Sequence, residues 1–141
     1  MHSEKCHQEL LSYALRIAVG SLLLVAGIGK FSGGVETFVS GAVGMFDGTL
    51  MPMGLAKAYL TVVPLLEVVV GGLLILGLFT SVAAWIGTFM FALFVVGLAA
   101  AGKPEMSAMM TNNFIFLFAS SWLAKLPSGK ISLDHVVGTG K

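Results

Sequence analysis

Long apolar runs fill most of this 141-residue chain, and each is about as long as the roughly 20 apolar residues that a helix needs to cross a bilayer. Only 11% of the residues are charged, whereas an ordinary soluble domain carries about 25%. Too few charges therefore remain to cover a water-facing surface. The sequence predicts one integral membrane domain over residues 1–141, with the lipid bilayer as its surroundings.

The apolar runs predict an all-α fold, a four-transmembrane-helix bundle. We expect its spans at residues 10–29, 55–78, 82–101 and 106–126. Residues 35–46 carry apolar side chains at three- and four-residue spacing, which is typical of a short amphipathic helix lying at the interface. The first run has no clean small-residue cleavage site, so we interpret it as a retained helix and not as a signal peptide.

The few charged residues indicate which side of the membrane holds the termini, and they exclude nucleic acid as a partner. An even number of spans puts both termini on one side, and the lysines have a small excess on that side, which favours termini in the cytoplasm of a multi-pass cell-membrane protein. The net charge is +1 and no basic cluster occurs. Nucleic acid is therefore not an expected partner, because binding phosphates needs many Lys or Arg on one face.

The first span carries two cations on one stripe. Steps of four, three, four and three residues connect Arg16, Gly20, Leu23, Gly27 and Lys30. Glycines on such a stripe let a neighbouring helix come close, which in lipid is a main source of packing energy. Two charges thus flank a groove of small residues.

The second span carries one acid, Glu67, on a stripe with Pro64, Gly71 and Leu74. An ionised carboxylate near the middle of a span costs several kcal/mol without a partner. In antiparallel helices at 1.5 Å per residue, Arg16 lies about 9 Å and Glu67 about 16 Å from the terminal side. We predict an Arg16–Glu67 ion pair inside the bundle, which serves either a ligand or helix register alone.

Other polar and sulfur-containing residues gather on the side opposite the termini. Asn112 and Asn113 either bind a polar ligand or headgroup there, or make helix-start and interhelical hydrogen bonds. Thioether clusters can hold Cu(I), but methionine more commonly fills gaps in packing. We predict no metal site and leave copper at this side open. The methionines on this side are Met45, Met51, Met53, Met106, Met109 and Met110.

Three short patterns, in this order and spacing, make the chain resemble the DoxX family of small four-helix membrane proteins along nearly its whole length. The patterns are Arg16, Gly20, Gly27, Lys30 and Phe31; Pro64, Glu67 and Gly71 with Leu74 and Gly77; and the tail of Gly129, Lys130, Ile131, Ser132, Leu133 and Asp134. The sequence departs from the family in the fourth span, at Asn112 and Asn113, and in its methionine content. The resemblance implies a membrane subunit of an oxidoreductase system, such as thiosulfate:quinone oxidoreductase, or of thiol-redox or detoxification systems.

The leading functional hypothesis is a membrane subunit of an oxidoreductase complex that anchors a redox partner. It binds a quinone or similar apolar ligand at a polar site formed by Arg16, Glu67, Lys30 and Asn113, and it carries no catalytic residue of its own. The chain has a single cysteine, Cys6, and no cofactor motif, so electrons must come from another protein subunit.

Two alternatives belong to other classes. In a small proton-coupled transporter, protonation of Glu67 accompanies substrate movement, and the protein forms a homo-oligomer. In a structural or assembly subunit, the buried charges only secure helix packing.

Overall fold

The computed structural model describes residues 2–127 and 132–138, and within these ranges the fold consists of helices and turns without a strand. The predicted all-α fold is therefore confirmed for this part of the chain. A short 3₁₀ turn, Pro104–Met106, precedes the fifth helix. The helices are α1 (His2–Ser32), α2 (Val35–Gly44), α3 (Met53–Leu76), α4 (Thr80–Ala101), α5 (Ser107–Leu123) and α6 (Leu133–Val137).

Three of these helices are long and apolar enough to cross a membrane among the residues described. They are Glu4–Ser32 within α1, and the whole of α3 and α4. The fourth predicted span corresponds to α5, which has only 17 residues, so a four-span bundle stays a prediction. A helix, α2, lies where the amphipathic segment was expected, and its position at the interface also stays a prediction.

The turn between α3 and α4 is tight because Gly77 takes a left-handed conformation. Its φ of +67° ends α3, and α4 begins at Thr80. Residues other than glycine rarely adopt this conformation, since the Cβ approaches the following carbonyl. The helices on either side of this turn pack against each other.

The bundle is built from two close helix pairs, α1 with α3 and α4 with α5. In the first pair, a Cβ placed on Gly71 would lie 2.6 Å from the backbone nitrogen of Leu24, and one on Gly20 would lie 3.0 Å from the carbonyl oxygen of Gly71. The glycine stripes predicted from the sequence thus face each other, and the two backbones come into contact.

Two apolar cores lie along the bundle. One packs α1, α3, α4 and α5 around Leu23, Leu74 and Leu123. The other packs α2 against α3 and α4 through Phe46, Leu60 and neighbours. We call the end with the second core the α2 end, and the end with the α3–α4 turn the turn end. On α1, Arg16 lies toward the turn end and Lys30 toward the α2 end.

Candidate functional site

At the α2 end, Lys30 of α1 and Glu67 of α3 form a close ion pair. The Lys30 ammonium donates hydrogen bonds to both carboxylate oxygens of Glu67, at 2.7 and 2.6 Å. The Glu67 side chain is 6% exposed and that of Lys30 is 19% exposed. The predicted partner of Glu67 was Arg16, and that prediction is wrong.

The direction of helical side chains explains the correction. Every Cα–Cβ bond in an α-helix tilts toward the N-terminus of its helix. In the antiparallel pair α1 and α3, Arg16 therefore points toward the turn end while Glu67 points toward the α2 end, and the two diverge. Lys30 points back along α1, toward Glu67. The sequence-based estimate compared only the positions of Arg16 and Glu67 along the helix axes and ignored this tilt. It therefore favoured Arg16 over Lys30 as the partner of Glu67.

The third helix at this ion pair is α2. The ring of Phe38 has its centroid 5.0 Å from the Lys30 ammonium, a distance at which the electron-rich face of an aromatic ring attracts a cation. Phe38 is only partly buried, but it packs against the core that holds α2 on α3. The ammonium is thus held between a carboxylate and an aromatic face.

Lys30 and Glu67 line a cavity of about 370 Å³ among α1, α2, α3, α4 and α5. Its other polar lining residues are Asn112 and Asn113 of α5. Small-molecule sites typically combine apolar walls with a few convergent polar groups, and this cavity has that composition. Its apolar walls include Phe38, Phe46, Phe91, Phe94, Phe116, Met45, Met109, Leu22, Leu23, Leu60 and Leu98.

Three of the four residues predicted to contact a ligand therefore border one cavity, namely Lys30, Glu67 and Asn113. The Asn113 side-chain nitrogen donates to the Met109 carbonyl oxygen, one turn earlier in α5, at 2.8 Å. This bond fixes the amide and leaves its oxygen for another donor. Asn112 is exposed and borders the same cavity.

The fourth predicted residue, Arg16, lies at the turn end, away from the cavity. Its guanidinium donates to the carbonyl oxygens of Leu74 at 3.0 Å and Ile75 at 3.4 Å. These carbonyls belong to the last turn of α3, where a cation is favoured by the helix dipole. The Leu74 carbonyl oxygen also accepts from the backbone nitrogen of Gly77 at 3.2 Å. Only 2% of Arg16 is exposed.

Asp134 completes the turn end, and sequence reasoning assigned it no role. Its carboxylate accepts hydrogen bonds from the backbone nitrogens of Phe79 at 2.6 Å and Thr80 at 2.8 Å, where α4 begins. It also interacts electrostatically with Arg16. Asp134 thus caps α4 while Arg16 caps α3. The tail pattern around Asp134 was the only sequence signal, and its residues Gly129, Lys130 and Ile131 lie outside the described residues.

The methionines predicted on the side opposite the termini do gather at the α2 end. Met106 is buried there, and Met45, Met51 and Met110 pack against the same core. These contacts are those of gap-filling side chains. The described residues hold no group of three or more His, Cys, Asp or Glu suited to a metal ion.

Comparison with known families overturns the resemblance to DoxX. The family model that matches is described as methylamine utilisation protein MauE, and it matches residues 8–109. That range includes Arg16, Lys30 and Glu67, and ends before Asn112. Among the described residues, the motifs that suggested DoxX supply glycine contacts, helix caps and one ion pair, which are not specific to that family. Neither the curated proteins nor the solved structures give a significant match.

Proposed function

Because the chain belongs to the family of methylamine utilisation protein MauE, we propose that it is a membrane accessory protein of an oxidoreductase system and binds a quinone-class molecule beside Lys30 and Glu67. Methylamine is a reduced carbon compound, so its use as a substrate releases electrons that need an acceptor. Quinones are acceptors that dissolve in the membrane, where the α1, α3 and α4 helices of this chain reside.

The observation that carries the proposal is an ion pair at the wall of an aromatic-lined cavity. The Lys30 ammonium has three donors, and a quinone carbonyl is an acceptor. The Glu67 carboxylate accepts from the hydroxyl of the reduced quinol. The ion pair has no net charge, which suits a ligand that is uncharged both as quinone and as quinol. A charged ligand would have no counter-charge left in the cavity.

The chain's own contribution is to bind and orient the ligand. Flat rings pack well against aromatic side chains in offset or edge-on arrangements, and Phe38, Phe91 and Phe116 supply such surfaces. Electrons are delivered by a partner protein, because a single cysteine cannot form the intrachain disulfide that would relay them within one chain.

Orientation and assembly follow from the same proposal. With α5 as a fourth span, both termini lie on the cytoplasmic side and the α2 end faces away from the cytoplasm. The ion pair is then accessible from the side on which α2 lies at the membrane surface. Partner subunits, or further copies of the chain, complete the assembly.

The test is equilibrium binding of a benzoquinone without an isoprenoid tail, and of its reduced quinol, to the full chain in lipid nanodiscs. Glu67→Gln and Lys30→Gln are the test variants, with Glu36→Gln and Lys57→Gln as matched controls on exposed positions of α2 and α3. A hydrogen bond to a charged group contributes roughly 1.5–3 kcal/mol. Lys30→Gln should therefore weaken binding of the quinone, and Glu67→Gln binding of the quinol, by about 10- to 100-fold. Unchanged affinity in both test variants would contradict the proposal.

A structural role for the same ion pair is the second candidate, favoured by the bidentate contact that joins α1 to α3. Purification in mild detergent followed by mass spectrometry separates the two. Copurifying quinone together with a cofactor-bearing protein supports the binding function. A partner protein without quinone, lost when Glu67 is replaced, supports the structural role. A homo-oligomer that copurifies with neither quinone nor a partner protein would favour the alternative of a small proton-coupled transporter.

A further inference from the structure

A second cavity, of about 120 Å³, lies between α3 and α4 near the α2 end. Its lining is almost entirely apolar and includes Leu55, Ala56 and Tyr59 of α3 with Leu93 and Gly97 of α4. The Tyr59 hydroxyl is turned away into a hydrogen bond with the Met90 carbonyl oxygen at 2.7 Å. An apolar cavity of about 150 Å³ stays dry and binds a benzene-sized molecule, so this one has room for a small hydrocarbon group.

The two cavities share one wall. Phe46, Leu60 and Phe94 line both of them. Phe46 and Leu60 are buried, whereas Phe94 is partly exposed and packs edge-on against Tyr59, with ring centroids 5.3 Å apart. Phe94 is the least buried of the three residues. Rotation of its ring is therefore the smallest movement that joins the two cavities.

The apolar cavity also reaches the outside of the helix bundle. Leu55 and Leu93, on its rim, are 63% and 48% exposed. Both lie on helices long and apolar enough to span the membrane, so this rim faces lipid. With the Phe94 ring rotated, a continuous route leads from the Lys30–Glu67 pair to the lipid between α3 and α4.

We propose that this apolar cavity holds the first part of the tail of the molecule whose head is bound beside Lys30 and Glu67. The inference rests on the proposed function, and it narrows the ligand to an amphiphile: an uncharged hydrogen-bonding ring that carries an isoprenoid or alkyl chain. The ring occupies the larger cavity, the start of the chain passes the Phe94 wall, and the remainder extends into lipid between Leu55 and Leu93.

We call the apolar cavity the tail cavity and the larger one the head cavity. Gly97 offers a way to fill the tail cavity from a position outside the lining of the head cavity. It lines only the apolar one, and a Cβ there would lie 3.2 Å from the methyl carbon of Met51. Gly97→Val therefore fills the space. Gly72→Val is the matched control, because a Cβ on Gly72 meets no atom within 4 Å. Ala56→Leu fills the same cavity from α3 and serves if Gly97→Val does not fold.

The experiment uses the full chain in nanodiscs and two probes. The tail-less benzoquinone reports on the head cavity. A benzoquinone with a short prenyl chain that carries a diazirine near the ring reports on the tail, and mass spectrometry locates the residues it labels after irradiation. Gly97→Val and Ala56→Leu are compared with the natural sequence and with Gly72→Val.

We expect the diazirine to label Leu55, Tyr59 or Leu93 in the natural sequence and in Gly72→Val. In Gly97→Val and Ala56→Leu this labelling should fall to background while the tail-less probe still binds as before. Labelling of Leu22 or Met109, or labelling that Gly97→Val leaves unchanged, would overturn the tail site and leave the proposed function standing. Failure of the tail-less probe to bind the natural sequence would overturn both.

Discussion

Arg16 and Lys30 of α1 lie toward opposite ends of its contact with α3, and their surroundings differ. At the turn end, Arg16 is bound by backbone carbonyls of α3 and lies close to the carboxylate of Asp134. At the α2 end, Lys30 is bound by one carboxylate and borders a cavity. The Arg16 guanidinium thus donates to backbone carbonyl oxygens, while the Lys30 ammonium borders a cavity that a ligand can enter.

The difference shows that burial of a charge in a membrane helix does not by itself indicate a ligand site. Arg16 is more buried than Lys30, yet its hydrogen bonds go to backbone carbonyl oxygens in the last turn of α3, where a cation is favoured by the helix dipole. Lys30, in contrast, borders the cavity and donates its hydrogen bonds to the carboxylate of Glu67. We therefore expect substitutions at the turn end to alter stability, and those at the α2 end to alter binding.

The largest effect on stability should come from Arg16→Gln. The change removes the donors to Leu74 and Ile75 and leaves Asp134 buried without this cation, and breaking a buried pair costs about 3–5 kcal/mol. Thermal unfolding in nanodiscs measures the loss, with Lys5→Gln, an exposed cation of the same helix, as the control. If both variants unfold alike, Arg16 does not hold the turn end.

Gly77→Ala should have the next largest effect on the same end. The added Cβ would collide with the Arg16 guanidinium, and the left-handed conformation costs a residue with a Cβ about 1–2 kcal/mol. Gly102→Ala is the control, because Gly102 has a φ of +64° and a Cβ there meets no atom within 4 Å. Gly77→Ala should therefore lower the unfolding temperature clearly more than Gly102→Ala does. Equal losses would show that the collision has no cost.

Gly71 lies between the turn end and the α2 end, so Gly71→Ala tests whether both ends depend on the same close contact between α1 and α3. Its Cβ would meet the backbone of Leu24 and Gly20 at 2.6 and 2.8 Å, and overpacking of this kind costs about 1–3 kcal/mol. Gly72→Ala, one residue later, adds a Cβ in open space. We expect Gly71→Ala to lower both stability and quinone affinity, since the α1–α3 spacing sets both ends. A loss of stability with unchanged quinone affinity would show that the α1–α3 spacing does not control binding at the α2 end.

Glu67→Gln should have the smallest effect on stability. Lys30 is partly exposed and its long side chain can turn toward the membrane surface, so we expect a loss of about 1 kcal/mol, near the range of exposed ion pairs. A double-mutant cycle with Lys30→Gln measures the pair's coupling energy. A coupling as large as the loss in Arg16→Gln would mean that the pair is a structural clamp like the turn end.

Much of this contrast could be predicted from the sequence, and part of it could not. Three- and four-residue spacing was sufficient to place Arg16 and Lys30 on one face of α1 with the glycines that contact α3. The tilt of helical side chains would have given Glu67 its true partner, Lys30. The role of Asp134 had no local signal, because the nitrogens it binds lie more than 50 residues earlier in the chain.

The cavity itself was beyond what periodicity can show. Its walls come from five helices, and empty volume depends on how those helices pack in three dimensions. The aromatic residues that line it look, in sequence, like ordinary lipid-facing or core positions. The family resemblance went wrong for a related reason: glycine stripes, helix caps and an ion pair recur wherever two helices pack closely in a membrane.

The most direct measurement is the affinity of the tail-less benzoquinol, the reduced form of the probe, for two variants, Glu67→Gln and Gly77→Ala, together with the unfolding temperature of each in the same nanodiscs. We predict that Glu67→Gln loses at least about tenfold in affinity with a small change in stability. Gly77→Ala should lose stability while its folded fraction binds like the natural sequence. The opposite pattern, with binding kept in Glu67→Gln and lost in folded Gly77→Ala, would contradict the assignment of the cavity as the binding site.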